Sequence, residues 1–268
     1  MAIQKGSIIL EGQIGNLSFY RSNGKPQVRQ HSGVSKDRIT KDPRFARTRE
    51  NNLEFGRASN AAKLIRVAVR RSLGDRYELF KDPGMVNRLS TRMGAIIRAD
   101  VEHERGNRIV QVGNLGMLSG FGFTSTAALK DVLLVPPRYV CQWDKGIVEL
   151  ALPGLRPDAA MAAPRDAVLC SFHVTALSFN ESYEWLPIAA QHHELLSLDY
   201  RGMPPQSFSL ELPGAPSDAL IICFGISFYK TIGGYPVPII ESGRNVLEVI
   251  GVEGFSEGHP LGRIRASD

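Results

Sequence analysis

Apolar and polar side chains alternate along the start of the chain. Residues 17–21 (LSFYR) follow this period of two, Asn23-Gly24 is typical of a two-residue hairpin turn, and residues 26–30 return with Val28. The pattern predicts a small β-ribbon. Glycines at positions 6, 12, 15 and 24 interrupt it, so we expect the ribbon to require a further surface to pair with.

A helical pattern follows the ribbon. Asp42-Pro43 predicts a helix start, because the Asp side chain accepts from free amide groups and Pro has no amide hydrogen to lose. The helix is expected to run to about Leu73 and to end at Gly74, and a second helix is expected near residues 85–103. Each carries one apolar stripe, which favours packing as an antiparallel pair. Basic side chains cover much of the rest of the first helix: Arg44, Arg47, Arg49, Arg57, Lys63, Arg66, Arg70 and Arg71.

The period changes again after Arg108. Seven short apolar or alternating runs, separated by Gly- and Pro-rich turns, are typical of an antiparallel β-sandwich: 128–135, 146–152, 167–179, 183–189, 207–212, 219–228 and 246–252. We therefore predict an α+β protein with three segments. Residues 1–41 form a β-ribbon arm and hinge, 42–110 a basic helical hairpin, and 111–268 a β-sandwich that is immunoglobulin-like in shape.

Charge is divided unevenly along the chain. Residues 1–110 contain 22 Lys and Arg against 11 Asp and Glu, whereas residues 111–268 contain 10 against 16, so the net charge of +5 combines +11 with −6. Such a basic half indicates an anionic partner. Nucleic acid, a membrane surface and the acidic half of another copy of the chain all satisfy this condition.

The composition of the chain indicates where in the cell the protein is expected. No apolar run reaches the roughly 18 residues that a membrane span needs, and the first 15 residues lack the apolar core of a signal peptide. We expect a cytoplasmic location, or a particle assembled there. Cys141, Cys170 and Cys223 lie far apart inside apolar runs, which favours buried free thiols over disulfides or metal ligands.

The sequence contains no standard catalytic motif. The closest cluster is His192, His193, Glu194 and Asp199, which has the side chains of a metal site or of an acid–base pair. Adjacent histidines on a strand point to opposite faces, and on a polar loop they are usually solvated, so we favour the solvated interpretation. We accordingly predict no catalytic, metal-binding or cofactor-binding residue, and a protein that is not an enzyme.

Aromatic and basic side chains give the candidate interface. Phe19 and Tyr20 beside Arg21 and Arg29 suit either base stacking or burial against protein. The helical arginines suit either phosphate or carboxylate partners, and we favour protein because they surround the helix instead of forming one face. The predicted interface residues are Phe19, Tyr20, Arg21, Arg29, Arg47, Arg57, Arg66, Arg70 and Arg71.

Residues 15–58 also carry a family resemblance. A glycine-rich ribbon, a Val-Arg pair, a GVSKDRI turn and a DPRFARTRENN helix occur in this order. The first 110 residues or so resemble an uncharacterised bacterial family of unknown function, and this resemblance implies no activity and no site residue.

Together these patterns favour a non-enzymatic structural subunit that assembles into a homo-oligomer. Its basic N-terminal half would meet the acidic C-terminal domain of another copy, with the ribbon as an exchangeable arm. The alternative is nucleic-acid binding through the basic helical region, in a phage-like setting. An enzyme of unrecognised type is the third hypothesis.

Overall fold

A computed structural model describes most of the chain. The described residues are 2–5, 8–30, 34–80, 82–179, 188–199, 201–213, 218–240, 243–256 and 259–263. They fall into two compact units, Met1–Asn52 and Leu53–Asp268. No helix within these ranges is long and apolar enough to cross a membrane.

The N-terminal unit contains a small antiparallel sheet and a short helix. Its elements are β1 (Ala2–Ile3), β2 (Gly12–Ile14), β3 (Leu17–Ser22), β4 (Lys25–Gln30) and α1 (Lys36–Lys41), and the sheet order is β1-β4-β3-β2. Asn23 and Gly24 have φ angles of 51° and 73°, so both turn residues adopt the left-handed conformation of the predicted hairpin turn.

The first long helix begins as the sequence predicts. Asp42 accepts from the amide of Arg44 at 3.0 Å and caps a 3₁₀ turn (Pro43–Phe45) that leads into α2 (Ala46–Leu73). Gly74 follows α2 with a φ of 56°, which confirms the predicted glycine stop.

The second unit contains the remaining helices and strands. After a 3₁₀ segment (Gly74–Leu79), the helices are α3 (Met85–Arg98), α4 (Leu129–Val132) and α5 (Pro157–Ala160), with a further 3₁₀ segment at Val112–Leu118. The strands are β5 (Arg138–Gln142), β6 (Ile147–Leu152), β7 (Leu169–Phe179), β8 (Ile188–His192), β9 (Leu196–Ser197), β10 (Gln206–Glu211), β11 (Ala219–Ile232), β12 (Tyr235–Pro238), β13 (Val246–Ser256) and β14 (His259–Arg263).

These strands form two antiparallel sheets. The central sheet has the order β14-β13-β11-β7-β8, with β12 paired to β11 and β9 paired to β7. A smaller sheet has the order β10-β6-β5. The α+β class with antiparallel sheets is therefore confirmed.

The central sheet is buried on both faces. On one face Leu177 and Cys223 share a hydrophobic core with α2 and α3, and on the other Phe172 and Phe224 share a second core with β6 and β10. Strands covered on both sides become continuous apolar runs, which explains why β7 and β11 lack a clear alternation. Helices, central sheet and smaller sheet thus form three layers.

The buried faces of α2 and α3 differ in side-chain size. The buried face of α2 consists mainly of Ala58, Ala61, Ala62, Ile65 and Ala68. The buried face of α3 supplies larger side chains, among them Leu89, Met93, Ile96 and Ile97. Leu53, which the apolar pattern assigns to the buried stripe of α2, is instead exposed.

Two further details differ from the sequence pattern. Residues 128–135, predicted as a strand, contain the short helix α4, where Asp131 accepts from the Ala128 amide at the helix start. Within the predicted hinge and arm, residues 36–41 form α1, capped by the Ser35 side chain. Most of the run at 183–189 lies outside the described residues.

A pair of glycines should respond in opposite ways to alanine. A Cβ at Gly225 would lie 2.9 Å from the Val246 carbonyl oxygen, whereas one at Gly56 in α2 meets nothing within 4 Å. We expect Gly225→Ala to lower the free energy of unfolding by about 1–3 kcal/mol through overpacking. Gly56→Ala should raise it by about 0.5–1 kcal/mol by favouring the helix. Urea denaturation of both variants measures these changes in the free energy of unfolding. If Gly225→Ala changed stability as Gly56→Ala does, β11 and β13 would be able to move apart and accept the added methyl group.

Candidate protein interface

The N-terminal sheet has one apolar and one polar face. Residues directly opposite in antiparallel strands point to the same side, and the register pairs Ile14 with Leu17 and Phe19 with Val28. These four side chains therefore share a face. The opposite face carries Ser18, Tyr20, Gln27 and Arg29, with the Arg29 guanidinium 5.5 Å from the centre of the Tyr20 ring.

The apolar face has no core beneath it in its own unit. None of the described residues before Leu53 is buried. Ile14 is 59% exposed and Leu17 39%, and Ile8 in the preceding loop is 79% exposed. A small sheet normally needs a packed apolar face to be stable. The alternation of apolar and polar side chains predicted the strands, whereas the absence of buried side chains among the described residues of this unit is visible only in the structure.

The same unit carries most of the excess positive charge. It contains ten Lys and Arg against four Asp and Glu, a net of +6, while residues 53–268 contain 22 against 23, a net of −1. The basic helical residues beyond Asn52 are thus balanced by acidic residues of their own unit. Within the N-terminal unit, Glu11 pairs with Arg21, Glu50 with Arg47, and Asp42 with Arg38 and Arg44.

The predicted interface residues occupy both units. Phe19 and Arg21 lie on the apolar face of the N-terminal sheet, Tyr20 and Arg29 lie on its polar face, and Arg47 is exposed near the start of α2. The other four, Arg57, Arg66, Arg70 and Arg71, belong to the second unit.

Arg57 has a structural role. Its Nη1 donates to the carbonyl oxygens of Gly106 at 2.6 Å and Arg108 at 3.1 Å, and the buried Glu54 accepts from the Gly106 amide at 2.8 Å. One turn of α2 therefore holds the loop that follows α3. Because both hydrogens of Nη1 are used in these contacts, that nitrogen is not available to an external partner.

Asp100 secures the same loop from its other end. Burial alone would raise the pKa of this carboxyl, but hydrogen bonds from the amides of Ile109, Glu102 and His103 outweigh burial and lower it. The carboxylate is 1% exposed and also contacts His103 Nδ1 at 2.8 Å.

A buried histidine pair lies between the central sheet and the helices. His173 Nδ1 lies 3.2 Å from His192 Nδ1, and His173 Nε2 lies 2.7 Å from Ser227 Oγ. His192 Nε2 lies 2.9 Å from the Ser72 carbonyl oxygen of α2. The Phe80 ring contacts His173 edge-on, with 5.3 Å between ring centres.

The contacts fix the proton positions in this pair. A carbonyl only accepts, so His192 Nε2 carries a hydrogen and its Nδ1 accepts from His173 Nδ1. His173 Nε2 then carries no hydrogen and accepts from the Ser227 hydroxyl, whose oxygen also lies 3.1 Å from the Tyr229 hydroxyl. Both rings are neutral, because burial lowers the pKa of His192 and, with His192, Arg76 and His193 adding to the effect, lowers that of His173 from 6.5 to about 3.

Ser227 and His173 are hydrogen-bonded as a serine nucleophile and its base would be, but a substrate cannot reach them. Both residues are fully buried between packed layers, so Ser227 Oγ cannot meet a substrate in this conformation. Besides His173, the buried polar side chains of β7 and β11 are Ser171, Thr175, Ser178 and Ser227. The alternation of Ser171, His173 and Thr175 on β7 was the sequence signal for a polar network.

The His192, His193, Glu194 and Asp199 cluster does not converge. His192 faces Ser72, whereas His193 stacks on Phe208 with ring centres 4.0 Å apart, as expected for neighbours on a strand. Glu194 and Asp199 are exposed. Among the described residues, no three His, Cys, Asp or Glu side chains form a possible metal site.

The three cysteines are poor nucleophiles. Burial raises the pKa of Cys141, Cys170 and Cys223 to about 12, with Glu253 adding to the effect at Cys141. All three are free thiols. Thiolate chemistry at neutral pH is therefore not supported at any of them.

Comparisons with protein-family models, curated proteins and solved structures found no match to this chain.

Proposed function

We propose that the protein is a structural subunit that assembles with copies of itself through its N-terminal unit. The observation that carries this proposal is a two-faced sheet with exposed Ile14 and Leu17 in a unit that has no buried described residue. Burying such side chains at an interface contributes about 1.5–3 kcal/mol each. An interface between copies would supply the cover that the sheet lacks.

Charge supports a second copy as the partner. The N-terminal unit has a net charge of +6, whereas the second unit has a net charge of −1, with its negative charge concentrated in residues 111–268 (net −6). On the outward face of the smaller sheet, Val140, Glu149 and Ser209 are aligned across three strands, and Glu211 lies further along β10. All four are exposed. Arg138 is also exposed on this face, which leaves two acidic groups against one basic group. We propose that this face receives the basic unit of a neighbouring copy.

A single substitution tests this proposal on the apolar face. Ile14→Glu places a carboxylate on that face, and Ile232→Glu is a matched control because Ile232 is 54% exposed on β11 of the second unit. We expect Ile14→Glu to reduce the assembled mass to that of the monomer in light scattering at low salt. Ile232→Glu should leave the assembly unchanged. The same mass for both variants would exclude the apolar face as the interface.

The polar face supports a second candidate function. Tyr20 and Arg29 lie together on it, and an aromatic ring beside a guanidinium suits base stacking and phosphate contact. Nucleic-acid binding would give a linear loss of affinity with the logarithm of salt concentration. Tyr20→Ala and Arg29→Ala should then weaken oligonucleotide binding, and no retardation of an oligonucleotide by the wild-type protein would exclude this second function.

A further inference from the structure

A pocket of about 450 Å³ lies in the second unit beside α2 and α3. Arg66 and Arg70 of α2 line it together with Tyr77 of the following 3₁₀ segment. Its apolar wall includes Val67, Met85 and Val86. The pocket therefore combines two cationic groups with an apolar surface.

The two arginines are one helical turn apart and have no competing partner. Residues at i and i+4 lie on the same helix face, so both guanidinium groups reach the pocket. Neither Arg66 nor Arg70 makes a hydrogen bond or ion pair with any part of the chain that the structure describes. Arginine is suited to planar oxyanions because its donors match carboxylate and phosphate oxygens in pairs.

Tyr77 adds an unusual hydroxyl to this site. The residue is 4% exposed, and its hydroxyl has no hydrogen-bond partner among the residues that the structure describes. A buried polar group without a partner destabilises a fold unless another molecule supplies one. Burial, with Glu78 adding to the effect, raises the pKa of Tyr77, while the positive charges of Arg66 and Arg70 act in the opposite direction.

Two acidic residues, Asp82 and Glu78, also line the pocket. Asp82 is engaged by Arg88, whose Nη1 donates to both carboxylate oxygens at 2.8 Å. Glu78 is exposed. Because Arg88 balances Asp82, the two α2 arginines and Glu78 leave a net charge of +1 beside the pocket.

We propose that this pocket binds a small organic oxyanion, with its phosphate or carboxylate group held by Arg66, Arg70 and the Tyr77 hydroxyl. The apolar body of the ligand packs against Val67, Met85 and Val86. This site is separate from the assembly interface, and its occupancy does not require assembly.

Calorimetric titration of the full chain with phenyl phosphate and with benzoate tests the proposal. We expect one equivalent of at least one probe to bind with a Kd below about 1 mM, and the tighter probe identifies the oxyanion class. Benzyl alcohol, which has the ring without the charge, should not bind. Arg66→Gln and Arg70→Gln should each weaken binding roughly tenfold or more, as expected for a lost charged hydrogen bond.

Two further variants separate a built site from a diffuse basic surface. Arg71→Gln removes the same side chain from the same helix outside the pocket lining, and it should leave the Kd unchanged. Tyr77→Phe should weaken binding roughly three- to tenfold without lowering the Tm of the free protein, because the hydroxyl has no partner there.

Three outcomes would overturn the proposal. They are the absence of binding by both probes, equal weakening by Arg71→Gln and Arg70→Gln, and a Tyr77→Phe variant that binds as tightly as wild type. None of these binding measurements depends on the assembled mass, so a negative binding result can be distinguished from a failure of the proposed assembly.

Discussion

Acidification from about pH 6.5 to about pH 4.5 is expected to destabilise the fold by roughly 2–3 kcal/mol through His173 alone. In the unfolded chain this imidazole takes up a proton near its ordinary pKa of 6.5, whereas in the folded protein its pKa is about 3. The unfolded state therefore binds more protons across this window. Stability is complete above pH 6.5 and declines as the pH falls towards about 3.

Other titrating groups act mainly outside that window or with the opposite sign. The pKa values of Asp82 and Asp100 are lowered below 3.8, so their loss of stabilisation begins only at lower pH. Burial raises the pKa of Glu248, and protonation of that group favours the folded state as the pH falls. The histidine pair should therefore dominate the decline between about pH 6.5 and 4.5.

Urea denaturation at several pH values measures this effect. His173→Gln should be less stable than wild type at about pH 8, because it disrupts contacts with Ser227 and His192, but its stability should depend less on pH between about 6.5 and 4.5. Ser227→Ala, which removes a contact of His173 but no titrating group, serves as the control and should keep a slope close to that of the wild type. An unchanged slope in His173→Gln would exclude the buried pair as the cause.

Deletion of residues 1–30 is expected to abolish assembly completely while the second unit remains folded. The deletion removes all four strands of the N-terminal sheet, including Ile14 and Leu17. The two hydrophobic cores consist of residues 58–252 and lie in the second unit. Those cores should preserve a single cooperative unfolding transition.

Light scattering and thermal denaturation on the shortened chain check both parts of this expectation. A monomer with a cooperative transition would place the interface in residues 1–30. A full-size assembly after the deletion would instead assign the interface to α2, α3 or the β-rich region.

The sequence predicts local structure well where one residue determines the backbone. Asn23-Gly24 fixes the hairpin because both residues tolerate positive φ, and Asp42-Pro43 with Gly74 bounds the long helix. In the central sheet, β7, β11 and β13 were recognisable as apolar runs, whereas β9, β12 and β14 were not among the predicted runs. The arrangement into three layers was not recognisable, because a run buried on both faces carries no alternation to say which element covers each side.

The candidate sites were only partly predictable. Tyr20 and Arg29 are close in sequence and in space, but the His173, His192 and Ser227 contacts join strands far apart in the chain. The lack of a hydrogen-bond partner for the Tyr77 hydroxyl among the described residues was equally unpredictable, because whether a buried polar group has a partner depends on packing. Sequence alone placed the helical arginines in one interface, whereas the structure separates Arg57, which holds a loop, from Arg66 and Arg70, which line a pocket.

The mass of the wild-type chain in solution tests the central proposal most directly. Light scattering at micromolar concentration and about 50 mM salt, with absorbance used to exclude bound nucleic acid, should give a multiple of 29.5 kDa. This mass should fall as salt is raised, because the Debye length shortens to about 3 Å at 1 M salt and screens the charged contact. A mass of 29.5 kDa that does not change with concentration or salt would contradict the proposed self-assembly.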